Sequence, residues 1–171
     1  MGKEGIGNPI EEYASAIEAG SVIVGDWIRR LYGILTEGIA SGRYIYDRRK
    51  AARAILFIEG FCHHCEGRND LIRLELWQKA MVAVIFGIVD ADGFRIWREV
   101  FIVIGRKNGK TLLAAAMIAY LAYIDGEYGA KIYCLAPKLD QAMIVYDNFY
   151  QMILKEPVGR SEERRVGKEC R

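Results

Sequence analysis

The sequence predicts an α/β fold: a helical N-terminal half followed by the first strands of a parallel sheet, which is left incomplete. Three observations lead there. Apolar residues recur at helical spacing through the first half; the run Val100–Ile104 is apolar without alternation; and from that run onward strand, helix, strand and helix follow one another with short joints.

Taken in order, Asn8-Pro9 marks a turn, and Ile10, Tyr13, Ala14 and Ile17 then share one face of a helix. Asp26 is a natural cap for a second helix, with Trp27, Leu31, Ile34 or Leu35, and Ile39 expected to face inward until Ser41-Gly42 ends it. A third helix follows Asp47, with Ala51, Ala54, Ile55 and Ile58 inward and Gly60 as the stop. A polar loop over 61–70 leads to a fourth helix from about Leu74 to Phe86, and Asp90-Ala91-Asp92-Gly93 reads as a turn. Val100–Ile104 and Lys131–Ala136 read as strands covered on both faces. Between them lies an apolar helix closed by Asp125-Gly126, and Pro137 opens a last helix carrying Leu139, Ala142, Met143, Tyr146, Phe149 and Ile153.

Bulk properties limit the functional classes. A chain of 171 residues with 52% hydrophobic and 27% charged residues can bury one ordinary core but not two large ones. No apolar run approaches the roughly 18 residues of a bilayer span. The opening Met1-Gly2-Lys3-Glu4-Gly5 leads into no apolar signal segment, so a cytoplasmic protein is the expectation. Cys62, Cys65, Cys134 and Cys170 do not form a disulfide framework. The net charge of +2 comes from the last twelve residues; without them basic and acidic residues balance, which gives no general argument for nucleic-acid affinity.

Chemistry concentrates in Arg106-Lys107-Asn108-Gly109-Lys110-Thr111, between the first predicted strand and the apolar helix. Binding a triphosphate takes converging N–H donors, a positive group between the phosphates and a hydroxyl for Mg²⁺. A glycine-containing turn at a helix N-terminus supplies the donors, Lys110 the charge and Thr111 the hydroxyl, while Gly109 permits close backbone approach. The order strand, loop Gly105–Gly109, helix is that of a P-loop. The usual first glycine of that motif would fall at Ile104, where it is missing, with Gly105 one place late.

From about Tyr13 to Asp147 the sequence resembles the large terminase subunit of tailed phages and prophages. The matching features are Trp77-Gln78, Phe86-Gly87, the Arg106–Thr111 loop, Asp125-Gly126-Glu127, Ala136-Pro137-Lys138 and Asp140-Gln141-Ala142. The family's loop lacks the leading glycine, which accounts for Ile104. The resemblance implies an ATP- and Mg²⁺-dependent motor on double-stranded DNA in the host cytoplasm. Its partners would be a small terminase subunit, a portal protein and further copies in a ring. Position by position it assigns phosphate binding to Lys110, Mg²⁺ to Thr111, γ-phosphate sensing to Arg106 and adenine reading to Gln78. Gly105, Lys107, Asn108 and Gly109 give the loop its shape. On its residues alone Gln78 reads first as an ordinary exposed helical glutamine, and only the resemblance puts adenine reading beside that; Trp77 reads as an apolar anchor and Asp140 equally as a helix-start residue.

The family's metal-binding acid, catalytic Glu and nuclease domain follow later than this stretch. The expected organisation is therefore a helical region over 1–93, a truncated P-loop core over 94–159 and a tail over 160–171. Arg160–Arg171 resembles a translated DNA-sequencing adapter; the alternative is a solvated mixed-charge tail. ATPase and nuclease activity belong to the full-length protein under this reading, and the present chain is expected to be inactive alone. Other readings are a helicase-like P-loop ATPase or a non-catalytic, incomplete binding fragment. Cys62-His63-His64-Cys65 offers four metal-ligating side chains, yet adjacent residues rarely reach one tetrahedral ion, so a polar loop with partly buried cysteines is the simpler expectation.

Overall fold

Asn8 begins the ordered helices by accepting the Ile10 N–H on its side-chain oxygen at 3.2 Å, with Pro9 pre-set for the first helical position. The structure is a computed structural model describing residues 7–65, 67–68, 70–127 and 129–155; the Met1–Gly5 opening and the Arg160–Arg171 tail lie outside the described residues. Helix α1, Pro9–Glu18, buries Ile10, Tyr13, Ala14 and Ile17 as its spacing predicts. Helix α2, Asp26–Ala40, differs from expectation: Gly25 is the N-cap, and the buried residues are Tyr32, Leu35 and Gly38. Trp27 is 82% exposed, and Leu31 and Ile34 also face outward. The apolar residues of this helix form one broad stripe, and only its Tyr32–Leu35 side is buried while the Trp27, Leu31 and Ile34 side is exposed. The Tyr32 ring meets Tyr13 of α1 edge-on at 4.7 Å, which fixes the rotation seen.

Strand β1, Ile45–Tyr46, precedes helix α3, Arg48–Phe61, whose start is held by Asp47 accepting the N–H groups of Arg49 and Lys50. Ala51, Ala54, Ile55 and Ile58 are buried, and the helix runs one residue past Gly60. Helix α4, Leu76–Gly87, packs on α1 and buries Ala80, Val82, Ala83 and Phe86, while Trp77, Met81, Val84 and Ile85 are only half-buried. It passes directly into strand β2, Ile88–Val89, which pairs antiparallel with β1 in the register Ile45 to Val89 and Tyr46 to Ile88. The predicted Asp90 turn forms, its side chain accepting from Asp92 and Phe94 N–H, and Lys50 Nζ donates to the Gly93 carbonyl. Trp97 Nε1 donates to the Val84 carbonyl at 3.0 Å.

Helix α5, Lys110–Tyr123, is apolar all round and packs on helix α6, Leu139–Lys155. Phe57 bridges the rings of Phe61 and Tyr120 beside them. The described residues divide into two compact units: those up to Leu56 with Arg73–Phe101, and Phe57–Ile72 with those from Ile102 onward.

The two predicted strands are not strands. Val100–Ile104 and Lys131–Ala136 join no ladder, and Phe101, Val103 and Leu135 are 95%, 81% and 92% exposed. Cys134, expected inside a buried strand, is half-buried in the second run. A parallel strand needs neighbours brought alongside by crossovers, and among the described residues the sheet consists of β1 and β2 alone. The chain thus mixes helix with a small antiparallel sheet, consistent with the α/β class, and no parallel sheet forms among the described residues.

Two outcomes follow from the first unit's packing. A Cβ on Gly87 would stand 2.7 Å from Tyr46 and 2.8 Å from the Ala51 methyl. Gly87→Ala is expected to cost about 1–3 kcal/mol in urea denaturation; an unchanged midpoint would show that the seam is loose. Burial, reinforced by Glu11, Glu12 and Asp47 against an opposing Arg48, pushes the Tyr46 phenol up to about 12, and burial with the Tyr13 neighbour raises Tyr32 further. Raised native values favour the neutral phenols, so their contribution is intact below pH 10.0 and is lost as pH climbs towards about 12. Urea midpoints should fall across that window, less steeply in Tyr46→Phe; a flat series would contradict the assignment.

Candidate functional site

Gly109 is the N-cap of α5 and sits in the left-handed region at φ 67°. Two residues earlier Lys107, with φ 66°, is the one non-glycine of positive φ among the described residues. Positive φ at Lys107 and again at Gly109 reverses the chain as it enters the helix. The first helical bond runs from Leu113 N–H to the Gly109 carbonyl at 2.9 Å. The N–H groups of the preceding first turn therefore have no acceptor within the helix and carry its positive dipole end. Asn108 folds back, its Nδ2 donating to the Gly105 carbonyl at 3.4 Å.

A cleft of about 330 Å³ opens at this helix end, walled on one side by Lys107, Gly109, Lys110 and Thr111. His64 and Cys65 line it from the turn after α3, and Ile144 and Asn148 from α6. Among the described residues none of those lining it is acidic, and two are ammonium-bearing. Such a wall suits an anion. Among the described residues no group of three or more His, Cys, Asp or Glu is placed to hold a metal ion.

The sequence comparisons bear on what this helix end belongs to. The family described as "Terminase large subunit, ATPase domain" matches residues 76–166, more than half of the 171. The chain belongs to that family. The terminase large subunits of Lactococcus phage p2 and Lactococcus phage SK1 are each 26% identical to it over 134 residues, which is 74% of this chain and 24% of theirs. The chain thus spans about a quarter of the length of these curated relatives. No solved structure gives a significant match. The terminase family match runs past Gly159 into the tail that resembles an adapter.

Of the residues singled out in sequence, the structure brings Lys107, Gly109, Lys110 and Thr111 to one cleft. Gly105, Arg106 and Asn108 lie on the same loop, exposed and outside the cleft wall. Gln78 stands in the other compact unit, where its Oε1 accepts the Glu75 N–H at 2.9 Å in a capping box at the start of α4. Glu75-Leu76-Trp77-Gln78 carries the spacing for that box, a signal readable in sequence. Facing a ligand through its carboxamide oxygen would require the box to open. His64, Cys65, Ile144 and Asn148 were missed as cleft residues, because no local pattern connects a turn at 64 with a helix at 148. No helix of the described residues is long and apolar enough to cross a membrane.

Nothing lies within 4 Å of a Cβ built on Gly109, so only its backbone geometry resists substitution. Gly109→Ala is expected to lose about 1–2 kcal/mol of stability, and Gly109→Asn, which visits the left-handed region more readily, less. Equal midpoints for the two variants in chemical denaturation would argue against the left-handed cap.

Proposed function

We propose that residues 105–111 are the phosphate cradle of an ATP-driven DNA-packaging motor and that this chain is the N-terminal part of its ATPase domain. The observation that carries the reading is the cleft at the start of α5, where two lysines, Thr111 and the left-handed Gly109 meet and, among the described residues, no carboxylate lines it. Lys110 neutralises the phosphate chain, the α5 N–H groups donate to its oxygens, and Arg106, exposed at the head of the turn, supplies a permanently charged fork for the γ-phosphate. Thr111, second residue of α5, would offer its hydroxyl to Mg²⁺. When bound, that ion neutralises charge across the terminal phosphates. Adenine reading belongs to Gln78 in this proposal, through its amide N–H groups while its oxygen stays in the capping box.

The helical region over 1–93, the P-loop core over 94–159 and the tail from 160 belong with this reading. So do a completed parallel sheet incorporating Val100–Ile104 and Lys131–Ala136, a nuclease domain, double-stranded DNA, a small subunit, a portal and a ring of copies in the host cytoplasm. Apolar, exposed runs at the two expected strand positions support a sheet that forms only with further strands.

On this reading the metal-binding acid and the catalytic Glu lie later in the full-length protein, so the chain by itself binds nucleotide without turning it over. Isothermal titration with Mg-ATP should give weak saturable binding, reduced tenfold or more by Lys110→Ala, since a charged hydrogen bond contributes about 1.5–3 kcal/mol. Equal affinity in the variant would remove the cradle assignment. ATP turnover that Lys110→Ala abolishes would disprove the binding-only behaviour.

A further inference from the structure

Helix α2 leaves one margin of its apolar stripe uncovered. Tyr32 and Leu35, the inner margin, are buried in their own unit. On the outer margin Trp27 is 82% exposed, and Leu31 and Ile34 stay nearly half exposed. With Gly38 these residues follow at steps of four, three and four, the spacing of a coiled-coil seam. Arg30 and Glu37 flank that seam on the side away from Leu35, one heptad apart. Both are exposed, and among the described residues neither side chain is engaged in an ion pair. Seven residues put them about 10 Å apart along the axis, too far to pair with each other on one helix.

Opposite charges on one flank make the seam complementary to itself. We propose that the outer face of α2 is a homodimer surface, on which a second copy of this chain docks with its α2 antiparallel. About the two-fold axis Leu31 packs on the partner's Ile34, and the same register sets Arg30 opposite the partner's Glu37 and Glu37 opposite the partner's Arg30. A parallel pair would instead set Arg30 beside the partner's Leu35, a position already buried in its own unit. At either end Trp27 comes over the partner's Gly38, where the Tyr44 ring lies against the glycine backbone and offers an aromatic surface. The apolar residues supply the contact area, and the charge pairs choose direction and partner more than affinity. A helix of 15 residues is about 22 Å long. Such a pair meets over less than the roughly 1,200–2,000 Å² of a standard interface, so docking is reversible and depends on concentration. It is independent of the phosphate cradle, and distinct from a ring, whose contacts run head to tail.

Sedimentation equilibrium of the full chain at rising concentration tests the pairing, and a saturable monomer–dimer equilibrium is the expected result. Leu31→Glu should weaken the dimer by about tenfold or more, because it puts an unpaired charge at the centre of the seam. Arg30→Glu, which sets like charges face to face, should weaken it by about five- to tenfold. Combining Arg30→Glu with Glu37→Arg restores opposite charges and should bring the dissociation constant back to within about threefold of the unmodified chain. If Leu31→Glu lowers the urea midpoint, the charge series on exposed positions decides alone. Phe101→Ser, in the exposed 100–104 run, should leave the dimer intact, which separates docking from clumping. A chain that stays monomeric throughout overturns the proposal. So does association that grows past the dimer and disappears in Phe101→Ser, or that Arg30→Glu leaves unchanged. A double variant no better than Arg30→Glu alone assigns the face to some other partner and overturns it equally.

Discussion

A change of backbone hand at Lys107 and again at Gly109 lets the chain turn from an extended approach into α5 within three residues. Everything in the candidate site depends on that reversal. It sets the unbonded N–H groups of the first helical turn at the cleft, and it puts the Lys110 and Thr111 side chains beside them rather than on the far side of the helix. An L-residue in the left-handed region is strained by about 1 kcal/mol or more, and here Lys107 carries that strain without the relief glycine enjoys. Strain of this kind persists where surrounding structure determines it. The Asn108 side chain, bonded back to Gly105, is one local contributor.

Stability around the site comes from a different source. α5 is apolar on nearly every face, and burying Leu113, Ala115, Ala116, Ala119 and Tyr120 against its surroundings holds the helix while its N-terminus stays open to solvent. Small side chains dominate that list, and they allow close approach of α6, from which Asn148 reaches the cleft. In the other unit the Tyr13–Tyr32 contact, the Asp47 cap and the β1–β2 pair fix a helical body of their own. The division between cleft and body follows the physics: converging polar groups must remain accessible, while the apolar stripes of α1 and α4 must not.

Much of this was legible in the sequence where local chemistry decides the outcome. Helices α1, α3, α5 and α6 appear where apolar period and caps put them, and the Asp90 turn and the loop-to-helix transition at Gly109 follow from residue type. Legibility failed where a tertiary partner decides. α2 carries one broad apolar stripe, and the contact of Tyr32 with Tyr13 decides which side of that stripe is buried. Val100–Ile104 has the composition of a central strand, yet a ladder requires a neighbour and none is present among the described residues. Gln78 shows the local case: the Glu75-to-Gln78 spacing of a capping box is readable in the sequence, and the box forms. The His64–Cys65 wall needed three dimensions, since the thiol and its acceptor on Asn148 share no sequence pattern.

The two outlying runs, 100–104 and 131–136, have a practical side. Each presents β-branched and aromatic groups to water beside backbone that belongs to no sheet among the described residues. Unpaired edges with that composition template pairing between molecules. The chain handled by itself is therefore inclined to clump as its concentration rises, and dilute, cool conditions or a solubilising fusion will govern whether it can be purified at all.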